Sequence, residues 1–349
     1  MTKRVAVVCG GRSSEHEISC ISAGGVLKAL DRTLFEPILI GITKAGKWVL
    51  IPESYPMEIV DGALPTVPDD ATPVVVDVAG FSSNGKALNI DVVFPLLHGP
   101  YGEDGTIQGL LEMADTPYVG SGVLASAVAM DKAFAKPIFA SHGIKVAAGF
   151  TVTKAQWKSE SALIQKEADT LGYPVFVKPA QGGSSRGTSR VKSAKEFAAA
   201  VTEALSFDSK AMVEQEISGA EIECAVLEIN GEPKASMVGR IHIDPRFEFY
   251  NFEAKYLDGA TGIELPAAID AKIASQIQAV AVQAYRALEC KGLARVDFFL
   301  TPNNEIVINE LNTMPGFTAT SVFPKMWQAS GIGYTELITA LLKSARTSN

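Results

Sequence analysis

The sequence predicts a multi-domain protein that combines α/β and α+β architecture. Its 349 residues are enough for two or three domains. Residues 4–9 form a short apolar run that leads into a glycine turn and a helix, which is typical of a Rossmann-like α/β domain. Further along, the apolar runs 221–229 and 233–241 flank Asn230-Gly231, a signal for a tight turn between antiparallel strands.

Composition and charge exclude several classes of protein. Hydrophobic residues make up 47% and charged residues 20% of the chain, as in a soluble globular protein. No apolar run is long enough to cross a bilayer, and the one near the start is too short for a signal peptide, so we expect a cytoplasmic protein with no membrane partner. The net charge is −8 without a basic block, so we expect no nucleic-acid partner.

Cysteine and histidine spacing does not predict a zinc site. The four cysteines are scattered, and the four histidines form neither HxH nor HExxH. We expect the cysteines to be reduced residues of the core. They are Cys9, Cys20, Cys224 and Cys290.

The glycine turn after the first strand lacks the GxGxxG spacing, so a nicotinamide cofactor is poorly supported. Ser13 or Ser14 is expected to cap the following helix, with Glu17 completing a capping box for Ser14. Glu15 has two interpretations: a first-turn acid favoured by the helix dipole, or a functional carboxylate. The local sequence does not decide between them.

A second glycine-rich loop follows a buried strand. We expect strands at 35–42 and 91–97, with surface loops and edge strands over the intervening residues 52–90. The loop 98–105 then lies at the carboxyl end of a strand, where open α/β sheets bind ligands. Within it, His98 is either a structural histidine bonded to the loop backbone or a functional one.

The next helix carries a lysine in its first turn. Asp131 is the expected N-cap of helix 132–142, and the first domain boundary is placed there. Because the helix dipole opposes a cation at this position, an anionic ligand would explain Lys132; the alternative is a solvated surface lysine. Residues 145–152 are then expected to form a strand and 156–171 a helix.

An apolar strand at 173–178 ends in Lys178 and enters a loop of glycines, serines and one arginine. Glycines let backbone N–H groups approach phosphate oxygens closely, and serines add donors. Because the lysine precedes the glycines, this is not a P-loop. The loop is interpreted as a phosphate site, the alternative being a bare flexible loop.

Two later segments carry further candidates. Glu214 lies in the apolar strand 211–215, where it is either an acceptor for an adenine amino group or ribose hydroxyl, or an exposed edge-strand acid. The segment 249–259 is aromatic without regular periodicity, which suggests a loop packed by its own side chains and a candidate lid.

The apolar runs 293–300 and 305–311 predict a β-hairpin. With the turn centred just after Asn303, Asp297 lies opposite Glu310, and Arg295 lies opposite Asn312 on the same face. Two carboxylates and an amide oxygen suit Mg²⁺ better than zinc. A surface hairpin with ordinary salt bridges is less favoured, because charges here interrupt apolar strands.

Three features together resemble the ATP-grasp superfamily. They are the lysine at the end of a strand, the Gly/Ser loop after it, and the distant Asp…Glu-x-Asn set. Within this superfamily, nearly the whole chain resembles the D-alanine–D-alanine ligase family. The resemblance implies an N-terminal Rossmann-like α/β domain at 1–130 and a two-subdomain ATP-grasp fold, at 131–215 and 216–349. It is carried by GGRSSEHEIS (10–19), HGPYGEDGTIQG (98–109), MDK (130–132), KPAQGGSSRG (178–187), EAKY (253–256), RVDF (295–298) and NELNTMPGFTATS (309–321).

The resemblance implies ATP-dependent joining of two D-alanines through a D-alanyl phosphate, for peptidoglycan precursor synthesis. It also implies a homodimer and two Mg²⁺ ions, with Mn²⁺ as a substitute. Lys132 and Lys178 would contact the phosphates of ATP, and Ser184 and Lys255 would also bind ATP. The adenosine contacts would be Glu214, Gln215, Glu216, Ile217 and Glu221. The metal ligands would be Asp297, Glu310 and Asn312.

For the first D-alanine, the resemblance implies that Glu15 takes the ammonium group. Glu15 would be linked by hydrogen bonds to Ser184 and Tyr256. His98 would be a neighbour of the same substrate.

For the second step, the resemblance implies that Arg295 and the Gly316 N–H form the oxyanion hole. Ser321 and Lys255 would take the carboxylate of the second D-alanine.

Three alternatives stay open. The chain could be a ligase that accepts D-serine or D-lactate second, although Tyr256 favours D-alanine because relatives making the D-lactate ester have histidine there. A nucleotide-binding regulator without chemistry is disfavoured by the intact set at Asp297, Glu310 and Asn312. A nicotinamide oxidoreductase rests only on the opening βα unit.

Overall fold

The computed structural model describes residues 2–183, 185–243, 246 and 261–345. These residues form three β-sheets with helices packed against them. The first sheet has seven strands: β1 (Lys3–Gly10), β2 (Phe35–Ile42), β3 (Trp48–Leu50), β4 (Thr72–Asp77), β5 (Gly80–Ser83), β6 (Lys86–Ala87) and β7 (Val92–Pro95). Their order in the sheet is β6-β5-β4-β3-β2-β1-β7.

The first sheet confirms the predicted α/β start. β1 lies between β2 and β7 and is parallel to both, whereas β3 to β6 extend the sheet with antiparallel edge strands. β1 ends at Gly10, whose φ is +87° and where a β-carbon would lie 2.4 Å from the Ile42 carbonyl oxygen. Only glycine fits this turn, which leads into α1 (His16–Ala29).

The start of α1 differs from the prediction. Its N-cap is Glu15, without a side-chain cap hydrogen bond, so the predicted cap at Ser13 or Ser14 and the capping box with Glu17 are wrong. Ser13 Oγ accepts a hydrogen bond from the Glu15 N–H (3.2 Å), and the Glu17 carboxylate pairs with Lys44 (2.5 Å). The glycine turn extends further than expected, so helical backbone begins after both serines.

Three helices connect the first sheet to the second: α2 (Thr106–Met113), α3 (Val123–Met130) and α4 (Lys132–Ser141). Asp131 is the N-cap of α4, and its carboxylate accepts a hydrogen bond from the Ala133 N–H (3.1 Å). The predicted helix start is confirmed. The same carboxylate is paired with Lys210, which ties α4 to the second sheet.

The second sheet has four antiparallel strands in the order β10-β9-β11-β8. Two helices pack against it around the buried Phe197 and Val177. The predicted strand at 145–152 begins later than expected, because Val146 makes only an isolated bridge to Ile308. The elements are β8 (Gly149–Thr153), α5 (Lys154–Leu171), β9 (Val175–Pro179), β10 (Ser189–Val191), α6 (Ala194–Phe207) and β11 (Lys210–Gln215).

The third sheet has five antiparallel strands in the order β14-β13-β12-β15-β16. Asn230 and Gly231 both have positive φ, so the predicted tight turn between β12 and β13 is confirmed. The elements are β12 (Ala220–Ile229), β13 (Glu232–Ile243), β14 (Thr261–Glu264), α7 (Ala271–Ala287), β15 (Leu293–Leu300) and β16 (Ile306–Asn312).

The chain after β16 returns to the first sheet. The last two helices, α8 (Val322–Ala329) and α9 (Tyr334–Lys343), share one buried cluster with β1, β7 and α1. In this cluster the rings of Phe94 and Phe317 meet edge to face, with centroids 5.3 Å apart. The loop 313–321 is therefore anchored on the N-terminal sheet. The proposed domain limits at 131 and 216 remain a prediction.

The four cysteines are free and buried, as the sequence predicts. None of the helices in the described ranges has both the length and the apolar character needed to cross a bilayer.

Candidate active site

The β15–β16 hairpin places the charged residues as the sequence predicts. Asp297 lies opposite Glu310, and Arg295 lies opposite Asn312. All four side chains are partly buried on the sheet. The face of the hairpin therefore concentrates two carboxylates, one amide and one guanidinium.

A β-bulge sets this register. Next to the turn, Phe298 lies opposite Ile308, which is shifted by one residue from the predicted pairing. Asn309 is the extra residue on β16. Because of this insertion, the pairing beyond the bulge returns to the predicted register, with Asp297 opposite Glu310. The predicted turn centre is therefore wrong although the predicted pairing of the site is confirmed. The bulge also aims Asn309 Oδ1 at Lys178 Nζ (3.2 Å).

The Arg295 guanidinium contacts two carboxylates. Its Nε and Nη2 each donate to Asp297 at 2.7 Å, and its Nε lies 3.1 Å from Glu223 Oε2. Asn312 Nδ2 also donates to Asp297 (3.1 Å). These contacts fix the orientation of the Asp297 carboxylate.

The hairpin acids fit a magnesium site by their chemistry. Asp297 and Glu310 are engaged by the cations of Arg295 and Lys132, at 2.7 and 2.9 Å. Within the described ranges, no group of three or more His, Cys, Asp or Glu side chains is placed to hold a metal ion. Two carboxylates and an amide oxygen suit Mg²⁺ that completes its shell with phosphate and water oxygens. The metal site itself remains a prediction.

Lys132 is a buried lysine rather than a solvated one. Its Nζ lies 2.9 Å from Glu310 Oε2 and donates to the Gly182 carbonyl oxygen at 2.9 Å. Burial by itself lowers the pKa of Lys132, but the charge and hydrogen bond of Glu310 outweigh burial and raise it. Lys132 therefore stays cationic and links the hairpin to the glycine loop.

Glu214 is buried between two lysines. It lies on the interior strand β11, so the alternative of an exposed edge-strand acid is wrong. Its carboxylate pairs with Lys178 (2.6 Å) and with Lys136. Burial alone raises the pKa of Glu214, but the two lysines lower it to about 2. The pKa of Lys136 falls to about 8, chiefly through burial.

A cavity of about 520 Å³ lies between the second and third sheets. It is lined by residues from both sheets and from α4, including most of the residues predicted to contact ATP and metal. The predicted residues in its lining are Lys132, Lys178, Glu214, Gln215, Glu216, Ile217, Glu221, Asp297 and Glu310.

The segment after β11 forms one wall of the cavity. The N–H groups of Gln215 and Glu216 donate to the carbonyls of Ala148 (2.8 Å) and Pro174 (3.2 Å). The Glu216 side chain forms a two-bond ion pair with Arg190, at 2.7 and 2.9 Å. This segment therefore presents its backbone to the cavity on a fixed scaffold.

A second cluster forms where the N-terminal loops meet the rest of the chain. A β-carbon on Gly99 would lie 3.1 Å from Glu15 Oε2, and one on Gly183 would lie 3.8 Å from the same oxygen. Glu15 thus lies between the 98–105 loop and the glycine loop after β9. The glycine loop after β9 therefore contacts both clusters, because Lys132 of the cavity cluster donates a hydrogen bond to the Gly182 carbonyl oxygen in the same loop.

Gly316 and Ser321 are neighbours in the loop before α8. A β-carbon on Gly316 would lie 3.2 Å from Ser321 Oγ. Ser321 Oγ accepts a hydrogen bond from the Thr318 N–H (3.1 Å) and shares another with Thr318 Oγ1 (2.7 Å). Ser321 is also the N-cap residue of α8, so its hydroxyl lies at the positive end of a helix.

Three predicted site residues lie outside the described residues: Ser184, Lys255 and Tyr256. Their predicted roles stay predictions, as does the candidate lid that contains the latter two.

Three charged residues of the site were not predicted from the sequence. Lys136 lies four residues after Lys132 on α4. This spacing places both lysines on one helix face, so it could have identified Lys136 from the sequence. Glu223 lies next to Arg295 only because β12 pairs with β15. Glu103 contacts a loop more than 200 residues away, and no local pattern predicts that.

Comparisons with known proteins agree with this geometry. Two family models match, described as D-ala D-ala ligase N-terminus over residues 4–121 and D-ala D-ala ligase C-terminus over residues 138–343. Proteins named D-alanine–D-alanine ligase from Kineococcus radiotolerans and Mycobacterium tuberculosis are 47% and 48% identical to this chain. Each match covers 98% of this chain, with 96% and 95% of the relatives.

Solved structures give the same result. The D-alanine-D-alanine ligase from Coxiella burnetii superposes with a TM-score of 0.85 at 37% identity, over 98% of this chain and 93% of that one. The VanG D-Ala:D-Ser ligase from Enterococcus faecalis has a TM-score of 0.86 at 36% identity, over 98% and 99%. The predicted ATP-grasp fold is confirmed. This chain belongs to the D-alanine–D-alanine ligase family.

Proposed function

We propose that this protein joins two D-alanines into D-alanyl-D-alanine, using ATP and a D-alanyl phosphate intermediate, for peptidoglycan precursor synthesis. The observation that carries the proposal is the cavity whose lining brings Lys132 and Lys178 together with the paired acids Asp297 and Glu310. Family membership over nearly the whole chain supports the substrate class. The cytoplasmic location and the homodimer remain predictions.

In the first step, a carboxylate oxygen of D-alanine attacks the γ-phosphorus of ATP, and ADP leaves. Such phosphoryl transfer depends on charge neutralisation and in-line positioning more than on covalent help. Lys132 and Lys178 are both held in place by acidic side chains of the protein, so they are already positioned to bind phosphate oxygens. Glu214 keeps Lys178 oriented and compensates its charge in the buried cavity.

Adenosine would bind along the segment after β11. The Gln215 and Glu216 N–H groups are already used within the protein, so the next N–H, that of Ile217, is the candidate donor to the base. Glu221, which lines the same cavity, is the candidate acceptor for a ribose hydroxyl. Magnesium, held by Asp297, Glu310 and Asn312, would neutralise charge on the phosphates.

In the second step, the amine of another D-alanine attacks the carbonyl carbon of D-alanyl phosphate. A C–N bond forms, the C–O bond to phosphate breaks, inorganic phosphate leaves, and the amine loses a proton. The tetrahedral oxyanion needs donors aimed at it, which would be the Gly316 N–H and Arg295. Glu15 would hold the first ammonium group, and Ser321 at the α8 terminus would hold the second carboxylate.

D-Serine is the second candidate for the attacking amino acid. A specific observation favours testing it, because a neighbour at a TM-score of 0.86 is described as a D-Ala:D-Ser ligase. Both amino acids present the same amine and carboxylate to the site.

The test measures phosphate and dipeptide from Mg·ATP with D-alanine, with L-alanine, with D-alanine plus D-serine, and without amino acid. The proposal predicts phosphate release that depends on D-alanine, with an equal amount of dipeptide. Release that is indifferent to D-alanine would overturn the proposed substrates. A mixed D-Ala–D-Ser product exceeding D-alanyl-D-alanine at equal concentrations would favour the second candidate.

A further inference from the structure

Met314, in the loop before α8, is held from three directions. Its N–H donates to Glu103 Oε1 (3.3 Å), and its carbonyl oxygen accepts from the His98 ring at Nδ1 (3.1 Å). Its side chain is 6% exposed and belongs to the core shared by the first sheet and the C-terminal helices. Both polar groups of this backbone position are thus engaged by side chains from one distant loop.

The two side chains that hold Met314 are themselves fixed. Glu103 Oε2 accepts a hydrogen bond from the Gly99 N–H (2.6 Å), so its carboxyl bridges two backbone N–H groups. His98 is buried, and its second ring nitrogen lies 3.3 Å from Ser22 Oγ. Because both ring nitrogens are engaged by the protein, His98 is better placed to hold Met314 than to bind a substrate.

The chain after Met314 has little freedom. Pro315 fixes its own φ and restricts the backbone of Met314. The next N–H along the chain is that of Gly316, and no described residue accepts a hydrogen bond from it. The direction of this N–H is therefore set largely by how Met314 is held.

We propose that His98 and Glu103 are positioning residues that clamp both backbone polar groups of Met314 and so aim the Gly316 N–H at the oxyanion of the second step. This inference rests on the proposed function. It explains why loop 98–105, which contributes no residue to the 520 Å³ cavity lining, contacts the 313–321 loop.

The clamp affects the two chemical steps differently. Loss of the clamp leaves in place the ion pairs of the phosphate-binding lysines, Lys132 with Glu310 and Lys178 with Glu214, so D-alanyl phosphate still forms. Attack by the second amine slows because its oxyanion loses a well-aimed donor. D-Alanyl phosphate then persists longer, so more of it leaves the site and is hydrolysed by bulk water to D-alanine and phosphate. Phosphate production should exceed dipeptide production.

The experiment compares Glu103→Ala and Glu103→Gln with Asp104→Ala. Asp104 is a matched control, because its carboxylate also accepts two backbone N–H groups, from Tyr101 (2.8 Å) and Thr106 (3.0 Å), but both are local, in its own loop and at the start of α2. For each variant, kcat, KM for D-alanine and the ratio of phosphate to dipeptide are measured. Hydroxylamine is added in a parallel assay to trap D-alanyl phosphate as the hydroxamate.

We expect kcat for dipeptide to fall about 100-fold in Glu103→Ala and less in Glu103→Gln, which keeps one acceptor oxygen. The phosphate-to-dipeptide ratio and the trapped hydroxamate should rise in both variants and stay at the wild-type value in Asp104→Ala. If Glu103→Ala does not fold, Glu103→Gln carries the test.

The clamp is overturned if both Glu103 variants keep a one-to-one ratio, whatever their kcat. It is also overturned if the only change is a higher KM for D-alanine, because that outcome would place Glu103 at the first substrate beside Glu15. Failure of the proposed function is recognised separately. In that case the wild type itself would make no dipeptide, and the ratio would be undefined for every variant.

Discussion

The two parts of the candidate site are built in different ways. The cavity cluster around Asp297, Glu310 and Glu214 lies on paired strands, where register fixes each side chain. The clamp around Glu103 and Met314 lies on two loops that meet through long-range contacts. Under the proposed function, strands and α4 would hold the charges for phosphate chemistry, whereas the loops would position the Gly316 N–H, which joins Arg295 of β15 in the acyl step.

The largest effect should come from the strand cluster. In Glu310→Gln, Lys132 loses its ion-pair partner and the hairpin loses one of its two acids, so both products should fall together. We expect kcat to drop on the order of 1000-fold, at the upper end for loss of one electrostatic contact. Steady-state assays of phosphate and dipeptide measure this.

Glu305→Gln is the matched control for that change, because Glu305 precedes β16 and forms an exposed ion pair with Lys145 (2.7 Å). It should keep wild-type kcat. A Glu310→Gln enzyme with near wild-type kcat would contradict the assignment of the hairpin to phosphate chemistry.

The second effect concerns stability. Glu214→Gln leaves two lysines together in a buried site without their shared carboxylate. We expect the free energy of unfolding to fall by about 3 kcal/mol or more. Glu305→Gln, at an exposed pair, should cost less than about 1 kcal/mol. Urea unfolding of both variants checks this, and equal costs would show that the buried network does not stabilise the fold.

A smaller effect is expected at the loop cluster. Ser321→Ala removes the hydroxyl next to Gly316 while Thr318 and the α8 terminus remain. We expect KM for the second D-alanine to rise about tenfold, the value of one hydrogen bond to a charged group, with KM for ATP unchanged. Initial rates over a wide D-alanine range separate the two amino-acid sites. A change in KM for ATP alone would show that Ser321 acts at the ATP site and not at the site of the second D-alanine.

A fourth effect is a pH dependence of stability. Burial and the charge of Glu15 raise the pKa of Glu103 to about 8, although Arg295 opposes this shift. The electrostatic influence of Glu103 also extends to Lys132. A carboxyl with a raised pKa contributes stability that is fully present below its ordinary pKa of 4.5 and is lost as pH rises through about 8.

The free energy of unfolding of the wild type should therefore fall relative to Glu103→Gln between about pH 5 and pH 8. Urea titrations across this range measure the difference. Asp104→Asn should keep the wild-type slope. Parallel wild-type and Glu103→Gln curves would show that Glu103 does not titrate in this window.

The strand cluster was predictable because side chains on a strand alternate with a period of two. That rule placed Asp297 opposite Glu310 even though the turn differs from expectation, since the bulge at Asn309 compensates. The burial of Glu214 was not predictable from its own strand, because it depends on β11 being interior to the sheet.

The loop cluster was only partly predictable. Glycine content marked 98–105 as a binding loop, but the partner of Glu103 lies 211 residues away, beyond any local pattern. The prediction of a capping box at the start of α1 was wrong for a related reason. The backbone of the glycine turn, rather than the serine side chains, decides where that helix begins.

One measurement tests the division between strands and loops most directly: the ratio of phosphate to dipeptide in wild type, Glu310→Gln and Glu103→Ala, assayed side by side with D-alanine. We expect a one-to-one ratio in the wild type, the same ratio at a much lower rate in Glu310→Gln, and excess phosphate in Glu103→Ala. Equal ratios in all three proteins would contradict it, because the loops would then serve both steps alike.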